Sequence, residues 1–260
     1  MPLEQKDKEI LLSQSSNKTS AEWAEFFNNK YTKKQIYDFC YRNKQCQLPK
    51  KLSAAEKSKI QSQNARKYNI NQDYFKTWSH NMAYILGLWY ADGCIYGGKM
   101  FDITLHKKDK YILKQIAKEL GYEGNLYDYV DRQAARLNFS CVVIYKDIEA
   151  LGGTERKSLT VTFPQVPEEY LHDFIRGYFD GDGCIMRLKR NRINSAFTCG
   201  SKQFLDVLWE KLKQYAGVEG GSYDPSCVSL KFGKKDSLKI GQYMYKDDPE
   251  LFLLRKREKF

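Results

Sequence analysis

Residues 83–95 read AYILGLWYADGCI, and a closely similar stretch, FIRGYFDGDGCI, occupies residues 174–185. Both contain a glycine, three further residues, a small residue and then Asp-Gly-Cys-Ile, so Asp92 and Asp182 occupy matching positions 90 residues apart. Each stretch is apolar and aromatic over about three helical turns and ends at a glycine, which is typical of a helix terminus. The duplication therefore predicts two equivalent helices, each with an aspartate at its carboxyl end.

Small residues recur four positions apart in both stretches, as Gly87 and Ala91 and as Gly177 and Gly181. They lie on one helix face and allow another backbone to approach closely, so we expect the two helices to pack side by side. The two aspartates would then meet, each at the negative end of a helix dipole and beside a like charge. Asp-Gly is also a common turn dipeptide. Two copies in the same context instead favour a pair of carboxylates that binds divalent cations.

These residues resemble the LAGLIDADG motif, and a chain with two copies resembles a monomeric LAGLIDADG homing endonuclease. Residues 180–183 read DGDG where the family has DADG, whereas Tyr90 replaces the earlier acid in the first copy. The resemblance implies a site-specific endonuclease that hydrolyses one phosphodiester on each strand of DNA. It also implies two or three Mg²⁺ ions, replaceable by Mn²⁺, held by Asp92 and Asp182 and by main-chain carbonyls of Ala91 and Gly181.

After each motif the hydrophobic pattern changes from a period of 3.6 to a period of 2, and then a second helix, further strands and a third helix follow. This order predicts two αββαββα repeats at residues 78–152 and 168–260, joined by a linker at residues 153–167. The predicted fold class is α+β, with two pseudo-symmetric repeats. The family resemblance implies that their sheets form a DNA-binding saddle, with each repeat reading half of a long, pseudo-palindromic double-stranded target.

Polar residues on the predicted strands are the candidates for DNA contact, because Arg, Lys, Asn and Thr side chains bind base edges and phosphates. Each is equally a candidate for an ordinary solvated strand position. Members of the family also use a basic or amide residue near the metal, and Lys231 is the candidate because it is the polar residue of a Leu-Lys-Phe strand. The predicted DNA contacts in the repeats are Thr104, Arg136, Asn138, Arg187, Lys189, Arg192 and Asn194.

Residues 1–48 predict a small all-α helix-turn-helix domain. Two short apolar segments follow Thr19-Ser20 and Thr32, which are typical helix-capping residues. The second helix would present Lys33, Lys34, Gln35 and Arg42, as a helix in the major groove does. A helical hairpin used only for packing is the alternative. Residues 49–77 are polar and basic and predict a linker.

The composition agrees with a DNA-binding protein without requiring one. The chain of 260 residues has a formal net charge of +11, which suits a polyanionic partner. Its seven cysteines are an odd number without a CxxC pair, so neither a zinc module nor a disulfide scaffold is expected. No signal peptide or membrane span is evident, so we expect an intracellular monomer.

Two other functions remain open from the sequence. A LAGLIDADG fold joined to a helix-turn-helix also suits a non-cleaving DNA-binding transcription regulator, and an RNA maturase that assists intron splicing is a further alternative. Retention of both aspartates favours the endonuclease, since a protein that only binds DNA gains nothing from two like charges held together.

Overall fold

The structure is a computed structural model that describes residues 2–46, 48, 68–129, 131–188, 192–224 and 228–260. The chain divides into two compact units, residues 1–66 and residues 67–260. Of the predicted linker, residues 49–67 lie outside the described residues, as does Lys189. Residues 68–77 belong to the second unit, where Phe75 is buried in the core. No helix among the described residues is long and apolar enough to cross a membrane.

The first unit contains helices α1 (Gln5–Gln14), α2 (Ser20–Phe26) and α3 (Lys33–Arg42). Thr19 caps the start of α2 and Thr32 caps the start of α3, each through a capping box. In each box the threonine hydroxyl accepts from the backbone amide three residues on, and the side chain of that residue accepts from the threonine amide. The sequence predicted both of these helices but not α1. The core of this unit consists of Leu11, Trp23, Ala24, Tyr31, Ile36, Cys40 and Cys46. Phe26 of α2 is 54% exposed, whereas α1 contributes Leu11 to this core.

The second unit consists of two repeats with the same order of elements. The first contains α4 (His80–Asp92), β1 (Gly93–Tyr96), β2 (Met100–His106), α5 (Lys110–Glu119), β3 (Tyr127–Tyr129), β4 (Ala134–Ser140) and α6 (Val142–Ala150). The second contains α7 (Leu171–Asp182), β5 (Gly183–Leu188), β6 (Arg192–Thr198), α8 (Lys202–Ala216), β7 (Ser222–Asp224), β8 (Ser229–Phe232) and α9 (Lys234–Met244), and a short helix α10 (Leu254–Arg257) follows. The predicted α+β fold with two αββαββα repeats is confirmed.

Each repeat forms a four-stranded antiparallel sheet, and the two sheets have the same topology. The strand order is β1-β2-β4-β3 in the first and β5-β6-β8-β7 in the second. Cys94 pairs with Asp102, which pairs with Asn138, and in the second sheet Cys184 pairs with Ala196, which pairs with Lys231. The registers therefore relate equivalent positions of the two sheets directly.

Helices α4 and α7 pack against each other through their glycines. A Cβ atom on Gly87 would lie 2.0 Å from the carbonyl oxygen of Phe174, and one on Gly177 would lie 2.0 Å from that of Tyr84. Both helices are buried along most of their length, so their close packing forms the centre of one core shared by the two repeats. The predicted side-by-side packing through small residues is observed.

We expect Gly177→Ala to lower the free energy of unfolding by about 3 kcal/mol, because its Cβ would overlap a backbone oxygen and the helices would have to move apart. Gly233→Ala is the matched control, since Gly233 has φ −77° and a Cβ there meets no atom within 4 Å. Urea unfolding of both variants measures the difference. Equal losses of unfolding free energy in the two variants would show that a Cβ atom at Gly177 does not force the helices apart.

The glycines that follow the two helices are required because a side chain would not fit there, and not because of their backbone conformation. Gly93 and Gly183 have φ of −101° and −86°, outside the left-handed region expected for a helix-ending glycine. A Cβ atom at Gly93 would lie 2.3 Å from the Trp89 ring, and one at Gly183 would lie 2.2 Å from the Phe179 ring. In each repeat the chain therefore passes directly from the helix into a strand, and the glycine at this point packs against an aromatic ring.

Candidate active site

Asp92 and Asp182 are the last residues of α4 and α7, and the helix packing brings the two helix ends together. A Cβ atom on Gly181 would lie 2.8 Å from Oδ2 of Asp92 and 2.3 Å from the Cβ of Ala91. The Asp92 carboxylate thus rests against the last turn of α7. Asp92 is exposed and Asp182 is half-buried, so the acid pair formed by Asp92 and Asp182 is accessible from solvent.

The surroundings of the acid pair disfavour two ionised carboxylates. Loss of hydration among the packed helix ends, followed by the charge of Asp182, raises the pKa of Asp92 to about 6. Loss of hydration also raises the pKa of Asp182, while the positive charges of Lys157 and Lys256 oppose that rise. A bound divalent cation would offset both effects, because it favours the ionised carboxylates.

The raised pKa of Asp92 predicts how stability depends on pH in the absence of metal. The folded protein binds this proton more tightly than the unfolded chain, whose aspartates titrate near pH 3.9. Asp92 therefore lowers the free energy of unfolding as pH rises from about 4 to about 6, and the loss persists above pH 6. In EDTA, Asp92→Asn should melt at a higher temperature than the unmodified protein at pH 7.5, and the two should converge near pH 4. Identical melting temperatures at pH 7.5 would contradict this.

Lys256 is bound to the carboxyl end of α7. It is only 4% exposed, and its Nζ donates to the carbonyl oxygens of Phe179 at 2.7 Å, Asp180 at 2.6 Å, Gly181 at 3.1 Å and Gly183 at 2.7 Å. Burial lowers the pKa of Lys256 to about 8, although the charges of Asp180 and Asp92 oppose that change. The ammonium group therefore satisfies the last carbonyls of the helix that carries Asp182.

Lys157 occupies the corresponding place at the end of α4. It is 7% exposed, its Nζ donates to the carbonyl oxygen of Gly93, and it lies 4.9 Å from the centre of the Trp89 ring. Burial lowers its pKa, while Asp182 and Asp92 are among the groups that raise it. Two buried lysines thus bind the helix ends that carry the acid pair, Lys157 from the linker at residues 153–167 and Lys256 from α10.

Neither buried lysine was predicted from the sequence, although the chain contains a signal for them. Each follows the last long helix of its repeat and each is preceded by arginine, as Arg156-Lys157 and Arg255-Lys256. Comparison of the segments after the two repeats would have found this pair. Comparison of the strands led instead to Lys231.

Lys231 lies on β8 and forms an ion pair with Asp224 on the exposed face of the second sheet. Among the described residues, the lysines whose charges act on the carboxylate of Asp182 are Lys157 and Lys256. The structure therefore favours these two lysines over Lys231 as the basic groups of the site.

The position two residues before each acid connects the helix to the segment that carries the lysine. Asp180 is buried, and its Oδ2 accepts from Tyr84 Oη at 2.8 Å and from the Leu253 amide at 2.7 Å. In the first repeat, Tyr90 donates instead to the carbonyl oxygen of Leu151 at 2.7 Å. Tyr90, which replaces the earlier acid in the first motif, therefore also binds the backbone of the segment after its repeat, but as a donor where Asp180 is an acceptor.

The oxygen atoms around the acid pair fit a hard divalent cation. The two carboxylates are candidate anionic ligands, and Ala91 and Gly181, whose carbonyls complete the predicted set, precede them in the last turns of the two helices. The Gly181 carbonyl already accepts from Lys256, but a carbonyl oxygen has a second lone pair.

The predicted DNA contacts of the first repeat lie on one face of its sheet and converge on a buried acid. Asp102 is 3% exposed and accepts hydrogen bonds from Thr104 at 3.1 Å and Asn138 at 2.9 Å, and it pairs with Arg136. The network fixes these side chains in defined orientations. Ala196 occupies the equivalent position of the second sheet, so the two faces differ chemically.

In the second repeat, Arg187 does not share a face with the other predicted contacts. Arg187 pairs with the buried Ile193, whereas Asn194 pairs with Met186 and Arg192 pairs with Leu188. Because side chains alternate along a strand, Arg187 lies on the opposite face from Arg192 and Asn194. Its guanidinium donates to the carbonyl oxygens of Lys259 and Glu258. The exposed Met186 replaces it on the face that carries Cys184 and Asn194.

In the first unit, α3 presents an exposed face of basic and aromatic side chains. Lys33, Lys34 and Arg42 are exposed, as predicted, and Tyr37 and Tyr41 stack with ring centres 6.1 Å apart. Tyr41 is 79% exposed. Gln35 was also predicted to contact DNA. Its side-chain oxygen accepts from the Thr32 amide at 2.9 Å, so this side chain takes part in the capping box of α3.

Comparisons with known proteins find one family model and several solved structures that are similar to this chain. A family model described as a LAGLIDADG-like domain matches residues 169–218, which include α7 and Asp182. The chain is similar to the homing endonuclease I-WcaI bound to its DNA recognition sequence, at 14% identity over 72% of this chain and 90% of that chain, with a TM-score of 0.49.

Two further solved structures are similar at the same level. The I-LtrWI LAGLIDADG homing endonuclease bound to target DNA has 14% identity over 72% of this chain and 88% of that one, with a TM-score of 0.47. The LAGLIDADG meganuclease I-AabMI bound to uncleaved DNA has 12% identity over 68% and 86%, also with a TM-score of 0.47. No curated protein sequence matches the chain. The family match supports the resemblance stated from the sequence, since residues 169–218 are similar to a LAGLIDADG-like domain.

Proposed function

We propose that this protein is a site-specific endonuclease that hydrolyses one phosphodiester on each strand of double-stranded DNA. The observation that carries the proposal is the acid pair at the joined ends of α4 and α7, with one buried lysine bound to each helix end. Carboxylates held together at a cost in free energy, beside positive charges, suit phosphoryl chemistry better than DNA binding alone.

Asp92 and Asp182, with the main-chain carbonyls of Ala91 and Gly181, would hold two or three Mg²⁺ ions, for which Mn²⁺ would substitute. Such ions supply Lewis-acid stabilisation and lower the pKa of bound water. The raised pKa of Asp92 supports this assignment, because the carboxylate requires a compensating positive charge near neutral pH.

The lysines have two roles in this proposal. Their ammonium groups hold the carbonyls at the ends of α4 and α7, which fixes the direction of each aspartate. Their positive charges also lie close enough to the acid pair to affect its ionisation, and so near a phosphate bound there. A preorganised cation beside developing negative charge stabilises a transition state without reorganisation.

The sheet faces would bind the DNA in its major groove, and the matching topology of the repeats suits a monomer on a long pseudo-palindromic target. We assign the first half-site to the face with Thr104, Arg136 and Asn138, and the second to the face with Met186, Arg192 and Asn194. The buried Asp102 orders the first set, and no acid stands at its equivalent, Ala196, in the second sheet. The two half-sites should therefore differ in base preference.

Incubation of the purified protein with DNA that flanks its own coding sequence tests the proposal. We expect two discrete fragments in Mg²⁺ and none in EDTA. Specific binding without cleavage in either Mg²⁺ or Mn²⁺ would instead identify a transcription regulator, and splicing of a precursor RNA without DNA cleavage would identify a maturase.

The first unit should add affinity but no chemistry. Lys33→Ala with Lys34→Ala should weaken DNA binding several-fold at moderate salt and reduce the log-log salt slope by about 0.9 for each phosphate that the protein no longer neutralises. Cleavage at saturating protein should not change. Lys6→Ala with Lys8→Ala on α1 removes the same charge and is the control. Equal losses in both double variants would show a general charge effect, and unaltered binding in both would assign the unit to packing or to a protein partner.

A further inference from the structure

Two imidazoles and a carboxylate converge at the opposite end of the two central helices from the acid pair. His80 is the first residue of α4, and His172 and Asp173 lie in the first turn of α7. Nδ1 of His80 lies 2.7 Å from Oδ2 of Asp173, and Nε2 of His172 lies 3.2 Å from the same oxygen. We propose that these three side chains bind a zinc ion at a site distinct from the acid pair.

The ligand types select the ion. Two imidazole nitrogens and one carboxylate suit Zn²⁺, whereas Mg²⁺ and Ca²⁺ prefer oxygen ligands. Zinc bonds of about 2.0–2.1 Å in a tetrahedron place ligand atoms about 3.3 Å apart. The three ligand atoms here all lie within 4.8 Å of one another. His80, whose side chain is 60% exposed, can supply the small movement that closes the remaining gap.

The buried ligands are already oriented. Asp173 and His172 are each 1% exposed, and Nη2 of Arg176 forms an ion pair with Oδ1 of Asp173 at 2.7 Å, which leaves Oδ2 for the two histidines. Such outer partners commonly orient metal ligands. Nδ1 of His172 is buried without a hydrogen-bond partner in the described part of the chain, so no second bond holds the ring against a small rotation towards an ion.

Asp247 is a candidate fourth ligand beside the cluster, and a cavity provides an entry path. Oδ2 of Asp247 lies 3.8 Å from Nε2 of His172, and its side chain is 72% exposed. The cluster lines a cavity of about 580 Å³ whose wall also contains Asp248 and Glu250. These carboxylates offset the charge of the nearby Arg176 and Lys246, which would otherwise repel a cation.

A zinc ion at this site would link elements that are distant in sequence. His80 belongs to the first repeat, His172 and Asp173 belong to the second, and Asp247 follows α9. Because the ion binds only the folded arrangement, it stabilises the packing of α4 against α7 by mass action. Zinc is thus a structural ion of the helix pair in this proposal and takes no part in cleavage.

Zinc titration of the untagged, EDTA-stripped full chain tests the inference. The protein should carry Asp92→Asn and Asp182→Asn, so that the acid pair does not compete for the ion. We expect one equivalent of ZnCl₂ to bind in calorimetry, with a rise in melting temperature of roughly 5 °C at a hundredfold excess over Kd. His80→Ala should lower the affinity at least about a hundredfold, since loss of even an outer partner costs ten- to a hundredfold.

The third histidine provides the matched control. The chain has three histidines, and His106, the only one outside the cluster, is exposed at the end of β2. His106→Ala should bind zinc as the parent does. Asp247→Asn is a second change at an exposed side chain, and it should lower the zinc affinity about tenfold.

Two results would overturn the proposal. One is a parent protein whose melting temperature does not respond to zinc, and the other is a His80→Ala variant that binds zinc as tightly as His106→Ala does. In either case the three side chains would form a hydrogen-bond network only. Both readouts are independent of DNA cleavage, so failure here leaves the endonuclease proposal intact, and the reverse also holds.

Discussion

Replacement of both Asp92 and Asp182 by asparagine should abolish cleavage of both DNA strands. Loss of a single electrostatic stabiliser commonly costs a hundred- to a thousandfold in rate, and here both anionic ligands of the proposed metal site are removed. DNA binding should persist or improve, because two negative charges near phosphates disappear. Single-turnover cleavage of DNA labelled separately on each strand measures the effect.

The single variants make the expectation sharper. Each aspartate ends one helix of a pseudo-symmetric pair, so Asp182→Asn should abolish cutting of at least one strand. Glu210→Gln is the control, because this carboxylate on α8 has a side chain that is 71% exposed. It should cut both strands at the rate of the unmodified protein. Cleavage of both strands by the double variant in Mg²⁺ would show that the active site lies elsewhere.

The duplicated motif carried most of the fold prediction, because its physical requirements are local. Gly87 and Gly177 are spaced for one helix face, and their lack of side chains is what permits the observed backbone contacts. The change to period 2 after each motif likewise follows from one exposed and one buried sheet face. These patterns located the repeats and the meeting of Asp92 with Asp182.

Contacts between segments distant in sequence were harder to predict. Lys256 reaches the end of α7 from 73 to 77 residues along the chain, and nothing in its local sequence indicates burial. Arg187 was predicted on the wrong sheet face because the pairing register, and not composition, decides the parity of a strand position.

The second large effect is expected at the two buried lysines. Lys157→Met and Lys256→Met should each slow single-turnover cleavage by about a hundred- to a thousandfold, if each supplies positive charge beside a developing phosphate charge. Because each lysine binds the end of a different helix, the two variants should slow different strands. Lys231→Met is the comparator, since Lys231 is paired with Asp224 on the second sheet.

The two lysine variants should differ in melting temperature as well as in the DNA strand whose cleavage they slow. Lys256 binds four carbonyl oxygens at the end of α7, whereas Lys157 binds that of Gly93. Buried carbonyls left without a donor cost free energy, so Lys256→Met should melt at a distinctly lower temperature than Lys157→Met. Cleavage must therefore be measured well below both melting temperatures, with saturating DNA. A Lys231→Met variant that loses more activity than either would return the catalytic role to Lys231, and the buried lysines would then serve only to cap their helices.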